Sequence, residues 1–219
     1  YLMTLNIEQA RHAMIEQQIR PWNVVDMQVL ATMSSIPREL FVPENYKNLA
    51  FTDTSLPLGQ NQWMLKPVLE GRLLQALQVQ ANDEVLLVGT GSGFITACMA
   101  HMARAVTSID MHPEFIEATK SKLKSLELNN VQFELADLFN FQPTRQYNDI
   151  AITGAMTSIP EKIKDWLLPN GRLFVIHGQS PSQEAICITR VGDHFETESL
   201  FETDVPYLTG AQPKPQFSL

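Results

Sequence analysis

The residues of this chain best spaced for chemistry are three glycines and two aspartates. Gly89, Gly91 and Gly93 stand in "VLLVGTGSGF", between a strand-like apolar run and a helical pattern. Glycines there let the backbone approach a ligand where a Cβ would collide, and ligands of open α/β sheets sit at the carboxyl ends of strands. A dinucleotide fingerprint would place its third glycine at position 94, where Phe94 stands, and no Gly-Lys-Ser/Thr of a P-loop follows. Asp110 ends "VTSID", nineteen residues after Gly91, where a carboxylate can accept from both hydroxyls of a ribose. Asp137, in "FELADLF", is placed to accept from an exocyclic adenine amine. A glycine loop, a ribose acid and an adenine acid at the ends of successive strands describe an adenosine pocket without a pyrophosphate clamp. That combination suggests S-adenosyl-L-methionine, with S-adenosyl-L-homocysteine as product, over NAD. The cofactor-binding set is then Gly89, Thr90, Gly91, Ser92, Gly93, Asp110, Met111, Asp137 and Leu138. The plainer alternative is a tight glycine turn with two solvated loop acids.

Such a set needs a scaffold that brings successive strand ends to one edge. Residues 84–88, 105–110, 131–135, 149–152 and 172–176 read as strands, alternating with helical patterns at 94–102, 113–126 and 160–167. Pro160 stands in the first turn of the last of these, and Asn170-Gly171 marks a turn before its strand. This alternation means βαβ units and a parallel sheet covered on both faces. Two alternating runs, "EAICITRV" and "HFETESLF", flank Gly192-Asp193 as an antiparallel hairpin. Upstream, 7–19 shows helical spacing closed by Pro21, Asp26 can cap a helix running through Met33, and 68–77 is a further amphipathic helix. We expect one domain over 1–219, with a helical cap and substrate-side loop at 3–78 and a cofactor-binding core at 79–219. The tail "TGAQPKPQFSL" reads as loose.

Composition narrows the function classes. The 219 residues carry a net charge of −8, and their 16 Lys and Arg are scattered, which argues against nucleic acid as a partner. No run reaches the ~18 apolar residues of a membrane span, so a soluble, cytoplasmic protein without a membrane partner is expected. Cys98 and Cys187 form no CxxC, and the five histidines form no HExxH pair, so neither a disulfide framework nor a metal site is expected. Oligomeric state is not legible.

Five motifs in order, "IPRELFVP", "FTDTSLPLG", "VGTGSGF", "NDIAITGA" and "NGRLFV", resemble the protein-L-isoaspartate O-methyltransferase family over roughly residues 10–177, continuing more weakly into "DVPYLTGA". The resemblance implies a seven-stranded Rossmann-like methyltransferase fold, mostly parallel with helices on both faces and an N-terminal helical cap. It further implies methyl transfer from S-adenosylmethionine to the carboxylate of isoaspartyl residues in damaged proteins or peptides. The ester would then collapse to a succinimide that can reopen as aspartate.

One loop departs from the family. Its pattern there is approximately Gly-x-Gly-Gln-Thr-Ile-Ser-x-Pro, whereas this chain reads Gly59-Gln60-Asn61-Gln62-Trp63-Met64-Leu65-Lys66-Pro67. Gly59, Gln62 and Pro67 match, Trp63 replaces the threonine, and Leu65 replaces the serine usually assigned to the active site. A carboxylate is already ionised at neutral pH, so its methylation needs positioning and a dry site rather than a base. Trp63 and Leu65 either pack under the cap, line an apolar pocket for a different acceptor, or border an ordinary isoaspartyl site. Asp53, in "FTDTS", matches an acidic position of the family, with a turn-forming role as the alternative. "ITGAM" after the fourth strand lacks the Asn-Pro-Pro-Tyr of base amino-methylation.

Overall fold

The computed structural model of the chain describes residues 2–216. Helix α1 (Leu2–Met14) runs into a π-helical segment at Ile15–Ile19 and a 3-10 turn at Arg20–Trp22. The expected single helix ending at Pro21 is therefore three different helical windings. Buried Ile15 and Ile19 hold the wide turn against the core, so packing overrides the α repeat. Asp26 caps α2 (Met27–Ser35) by accepting from the Gln28 and Val29 amides. Within "IPRELFVP" a one-turn helix, α3 (Arg38–Phe41), leads to the small hairpin β1 (Leu56–Gly59) and β2 (Gln62–Met64). Helix α4 (Pro67–Leu77) closes this half with proline at its start.

The second half alternates as expected: β3 (Glu84–Val88), α5 (Phe94–Met102), β4 (Ala105–Asp110), α6 (Pro113–Ser125), β5 (Val131–Leu135) and β6 (Tyr147–Met156). Then come β7 (Leu167–Gln179), β8 (Ser182–Val191) and β9 (His194–Thr203). The 160–167 segment is not an α-helix. It is a short 3-10 helix at Glu161–Trp166, because Leu167 already pairs with Tyr147 in the sheet and leaves too few residues for α turns. The Asn170-Gly171 turn likewise falls inside β7, with Asn170 at φ 65° where the pairing shifts register.

Seven strands form one sheet in the order β5-β4-β3-β6-β7-β8-β9, parallel through β7 and antiparallel from β7 to β9. Along β3, Val85 and Leu87 join the core under the cap while Leu86 and Val88 join the core on the opposite face. Burial on both faces is why the run is apolar without alternation. The chain moves outward from β3 to β4 and β5, then returns to β6 on the other side of β3. The crevice at this reversal, outside the strand ends, is where α/β sheets bind ligands. No helix among the described residues is long and apolar enough to cross a membrane.

At the opposite end of the sheet, Asp149 is 3% exposed and its Oδ2 has no hydrogen-bond partner. Burial, reinforced by neighbouring Asp83 and opposed by Arg172, pushes its carboxyl up to about 9. The unfolded chain releases this proton near the ordinary 3.8 while the folded chain keeps it, so Asp149 erodes stability as pH rises from about 4 towards 9. Asp149→Asn removes the ionisation: its melting temperature should stay near the parent's at pH 4 and exceed it at pH 8. Equal gaps at both pH values would rule the account out.

Candidate active site

The site is roofed by the β1–β2 hairpin, whose turn is Gln60-Asn61 with φ 54° and 55°, preceded by Gly59 at φ 88°. Two successive left-handed residues define a type I′ turn, which glycine and asparagine tolerate best. The family's second glycine is thus replaced at Asn61 by the side chain that least disturbs the turn. After the turn, Gln62 reaches across the crevice and donates from Nε2 to Thr209 Oγ1 at 2.8 Å. Met64 and Leu65 turn inward, 2% and 5% exposed, whereas Trp63 stays 45% exposed.

Beneath the hairpin lie two adjoining narrow crevices, which share Gln62, Gly89 and Asp110. The first is walled by Val88, Ile109, Met111, Ala136 and Leu138, with Asp137 at its rim. The second is bordered by Trp63, Leu65, Gly91, Thr153, Gly154 and Pro206. Asp110 Oδ2 accepts from the Gly91 amide at 3.1 Å and Oδ1 from the His112 amide at 2.8 Å. Burial pushes its carboxyl up, against the opposing pull of those two amides. Beside it His112 Nε2 is buried without a partner. The lining could hold an adenosine-bearing ligand: apolar walls for a base, a carboxylate for hydroxyls, and an orphaned ring nitrogen left for a further polar contact.

The sequence-selected residues separate by position. Gly89, Gly91, Asp110, Met111, Asp137, Leu138, Gln62, Trp63 and Leu65 all line the paired cavities. Thr90, Ser92 and Gly93 stand behind them. The Thr90 hydroxyl bonds Ser108 Oγ at 2.7 Å, Ser92 Oγ accepts from the Phe94 amide, and a Cβ on Gly93 would strike Thr119 Oγ1 at 2.4 Å. Their geometry joins loop, strand and helix. Asp137 accepts from the Phe139 amide at 3.0 Å, which leaves carboxylate lone pairs for another donor. Gly59 is exposed at the turn, and Asp53 lies outside both cavities, on a different groove.

Three contributions escaped the linear reading. One is the C-terminal segment: Ala155 N donates to Pro206 O and Leu208 N to Ala155 O, bringing Leu208 and Thr209 to the crevice. The tail is accordingly fastened at its start, with the Ala211 carbonyl accepting from Thr157 and Ala211 buried, while 217–219 lie outside the described residues. Gly154 permits this approach, since a Cβ there would sit 2.7 Å from Leu208 N. Another is Thr153, whose Oγ1 donates to Gly89 O at 2.9 Å. The third is a fully buried ion pair, Arg38 with Glu70, 0% and 1% exposed in their side chains. Arg38 binds Glu70 Oε1 through Nε and Nη2 at 3.0 and 2.9 Å, and donates to the carbonyls of Ala50 and Leu65. The arginine of "IPRELFVP" thus anchors the backbone of the very residue that replaces the family serine. Burial pushes the Glu70 carboxyl up to about 7, with the Arg38 guanidinium pulling the other way.

Sheet order, switch-point crevice and strand-end carboxylates define a Rossmann-like S-adenosylmethionine methyltransferase fold. Two solved structures share this architecture. A Plasmodium falciparum protein crystallised with S-adenosyl-L-homocysteine, described as a candidate protein-L-isoaspartate O-methyltransferase, superposes with a TM-score of 0.76 at 17% identity, covering 92% of this chain and 97% of its own. A second, a protein-L-isoaspartate O-methyltransferase, gives 0.78 at 21% identity over 93% of this chain and 66% of its own. Among sequences, the Dictyoglomus thermophilum protein-L-isoaspartate O-methyltransferase is 32% identical over 90% of both chains. The Aliivibrio salmonicida one is 32% identical over 92% of this chain and 97% of its own. Residues 9–211 match the protein-L-isoaspartate(D-aspartate) O-methyltransferase family, and the chain belongs to it.

Proposed function

We propose that this protein is an S-adenosylmethionine-dependent carboxyl O-methyltransferase that acts on isoaspartyl residues of damaged proteins and peptides. The observation that carries the reading is the family match across residues 9–211. The crevice adds a physical fit: a buried carboxylate at the end of β4 beside an apolar slot and an orphaned His112 nitrogen. When bound, the cofactor supplies an electrophilic methyl group on a sulfonium. Asp110 would hold the ribose hydroxyls, Met111 and Leu138 would flank the base, and Asp137 would accept from its amine. Gln62, tied to Thr209, closes the roof over this end. Trp63 and Leu65 wall the acceptor end and exclude water from an already ionised carboxylate nucleophile, so no residue is required as a base. A cytoplasmic location suits repair of intracellular proteins.

Incubation with methyl-labelled cofactor tests the reading: an isoaspartyl peptide should gain base-labile label that an aspartyl control does not. Label on neither peptide, with cofactor bound, would sink it. Asp110→Ala should weaken S-adenosylhomocysteine binding by about 1.5–3 kcal/mol, one to two decades in Kd, and unchanged affinity in calorimetry would remove Asp110 from the pocket. A second reading, a small-molecule acceptor, draws on the absence of the family hydroxyls at Trp63 and Leu65. It predicts label in a low-molecular-weight fraction of cell extract.

A further inference from the structure

Towards the end of the sheet opposite the cofactor crevice, beside Asp149, a polar cavity of about 310 Å³ lies between the last turns of α4 and the strands β7, β8 and β9. Its volume is at the small end of the roughly 300–1,000 Å³ of ligand sites, and methyl transfer leaves it without a role. We infer that this cavity binds a small carboxylate or phosphate anion, held between the guanidiniums of Arg172 and Arg72.

The two arginines reach the cavity from opposite walls. Arg72, Gln75 and Ala76 are three and four residues apart on α4, so they share the helix face that lines it. On the sheet side Arg172 of β7 pairs with Thr189 of β8, and Cys187 of β8 pairs with Glu198 of β9. Paired residues of neighbouring strands project to the same face, which brings these four side chains up towards α4.

Charge decides what the cavity takes. Arg11, Arg20, Arg38 and Arg145 each reach a carboxylate within the chain, whereas among the described residues Arg72 and Arg172 reach none. Arg72 meets only the carbonyls of Trp22 and Leu200, at 3.3 and 3.5 Å, and the ring of Phe201. Arg172 stands beside Asp149 in the sheet but does not bind its Oδ2, which has no partner. Burial keeps the Asp149 carboxyl protonated at neutral pH, so the Arg172 charge is left uncompensated there. Glu198 lines the cavity too, but it is exposed, where solvent screens it. A guanidinium presents two parallel N–H donors to two oxygens of one anion, a geometry that carboxylate and phosphate both match. Thr189 and Gln78 add neutral donors alongside. A cation would meet two guanidiniums against one screened carboxylate and be repelled.

Calorimetry and thermal unfolding test the site with succinate and with inorganic phosphate, against sodium chloride of equal ionic strength. Saturating S-adenosylhomocysteine is present throughout, so that the cofactor crevice is filled. At least one of the two anions should bind saturably, one per chain, and raise the melting temperature where chloride does not. Succinate alone assigns a carboxylate ligand, phosphate alone a phosphorylated one, and both together the anion chemistry they share. Arg172→Gln should weaken that binding ~10-fold or more through loss of one charge-assisted, bidentate contact. Arg172→Lys, which keeps the charge without the fork, should recover only part of it. Glu198→Gln, at an exposed position where folding is not at stake, should tighten binding instead. S-adenosylhomocysteine affinity should stay at the parent's value in all three variants. Absence of saturable binding of either anion to the parent overturns the site. So does binding that is indifferent to both Arg172→Gln and Glu198→Gln. None of these readouts involves methyl transfer, so the outcome is independent of the proposed function.

Discussion

Arg38→Met is expected to cost about 3–5 kcal/mol of folding stability, because it removes the partner of a buried carboxylate, and Glu70 must then take up a proton or stay charged without compensation. The same change leaves the Ala50 and Leu65 carbonyls without their guanidinium donor. Arg38 also stacks 5.6 Å from the Phe94 ring, so its loss loosens contact with α5 directly after the glycine loop. Urea unfolding measures the cost, and a loss under about 1 kcal/mol would show that the pair is not a keystone. The double variant Arg38→Met, Glu70→Leu should recover most of the stability, since replacing a whole buried pair by apolar side chains is often neutral. It should not recover methyl transfer, because the Leu65 backbone remains untethered. Stability and activity should therefore part company in the double variant.

Leu65→Ser carries the next largest expected effect, and in two opposite directions. Leu65 is 5% exposed within the core under the cap and also borders the acceptor cavity, so packing and pocket lining are not exclusive roles. Removing it should cost about 2–5 kcal/mol through lost burial and a cavity. The new hydroxyl would restore a donor for an acceptor carboxylate, raising methylation of an isoaspartyl peptide by at most about 10- to 100-fold. Trp63→Thr, at a half-exposed position, should add to that gain with little further loss of stability. A double variant that folds, binds S-adenosylhomocysteine and still leaves the peptide unlabelled would count against isoaspartyl repair.

Most of the sheet was legible because its signals are local. The runs at 84–88, 105–110 and 131–135 match β3, β4 and β5, and each βα turn carries its own glycine or proline punctuation. The helical windings at Ile15–Ile19 and Glu161–Trp166 were not, since core packing in one case and the early start of β7 in the other overrode local periodicity. The roof hairpin also escaped, because a type I′ turn built on Gln60-Asn61 lacks the usual glycine.

The candidate site divides the same way. Types and spacing alone picked out Gly89, Gly91, Asp110 and Asp137, because a βαβ repeat delivers each strand end to the same edge whatever else the chain does, whereas Trp63 and Leu65 stood out only against the family's loop pattern. The resemblance carried by the five motifs points to the family without reference to tertiary structure. Tertiary structure alone decided that Arg38 grips Leu65, that Gln62 meets Thr209 across 147 positions of sequence, and that Trp22, Arg72 and Phe201 share a trench. Contacts of such separation leave no periodic trace in the chain, since each depends on how the cap, the sheet edge and the C-terminal segment pack against one another.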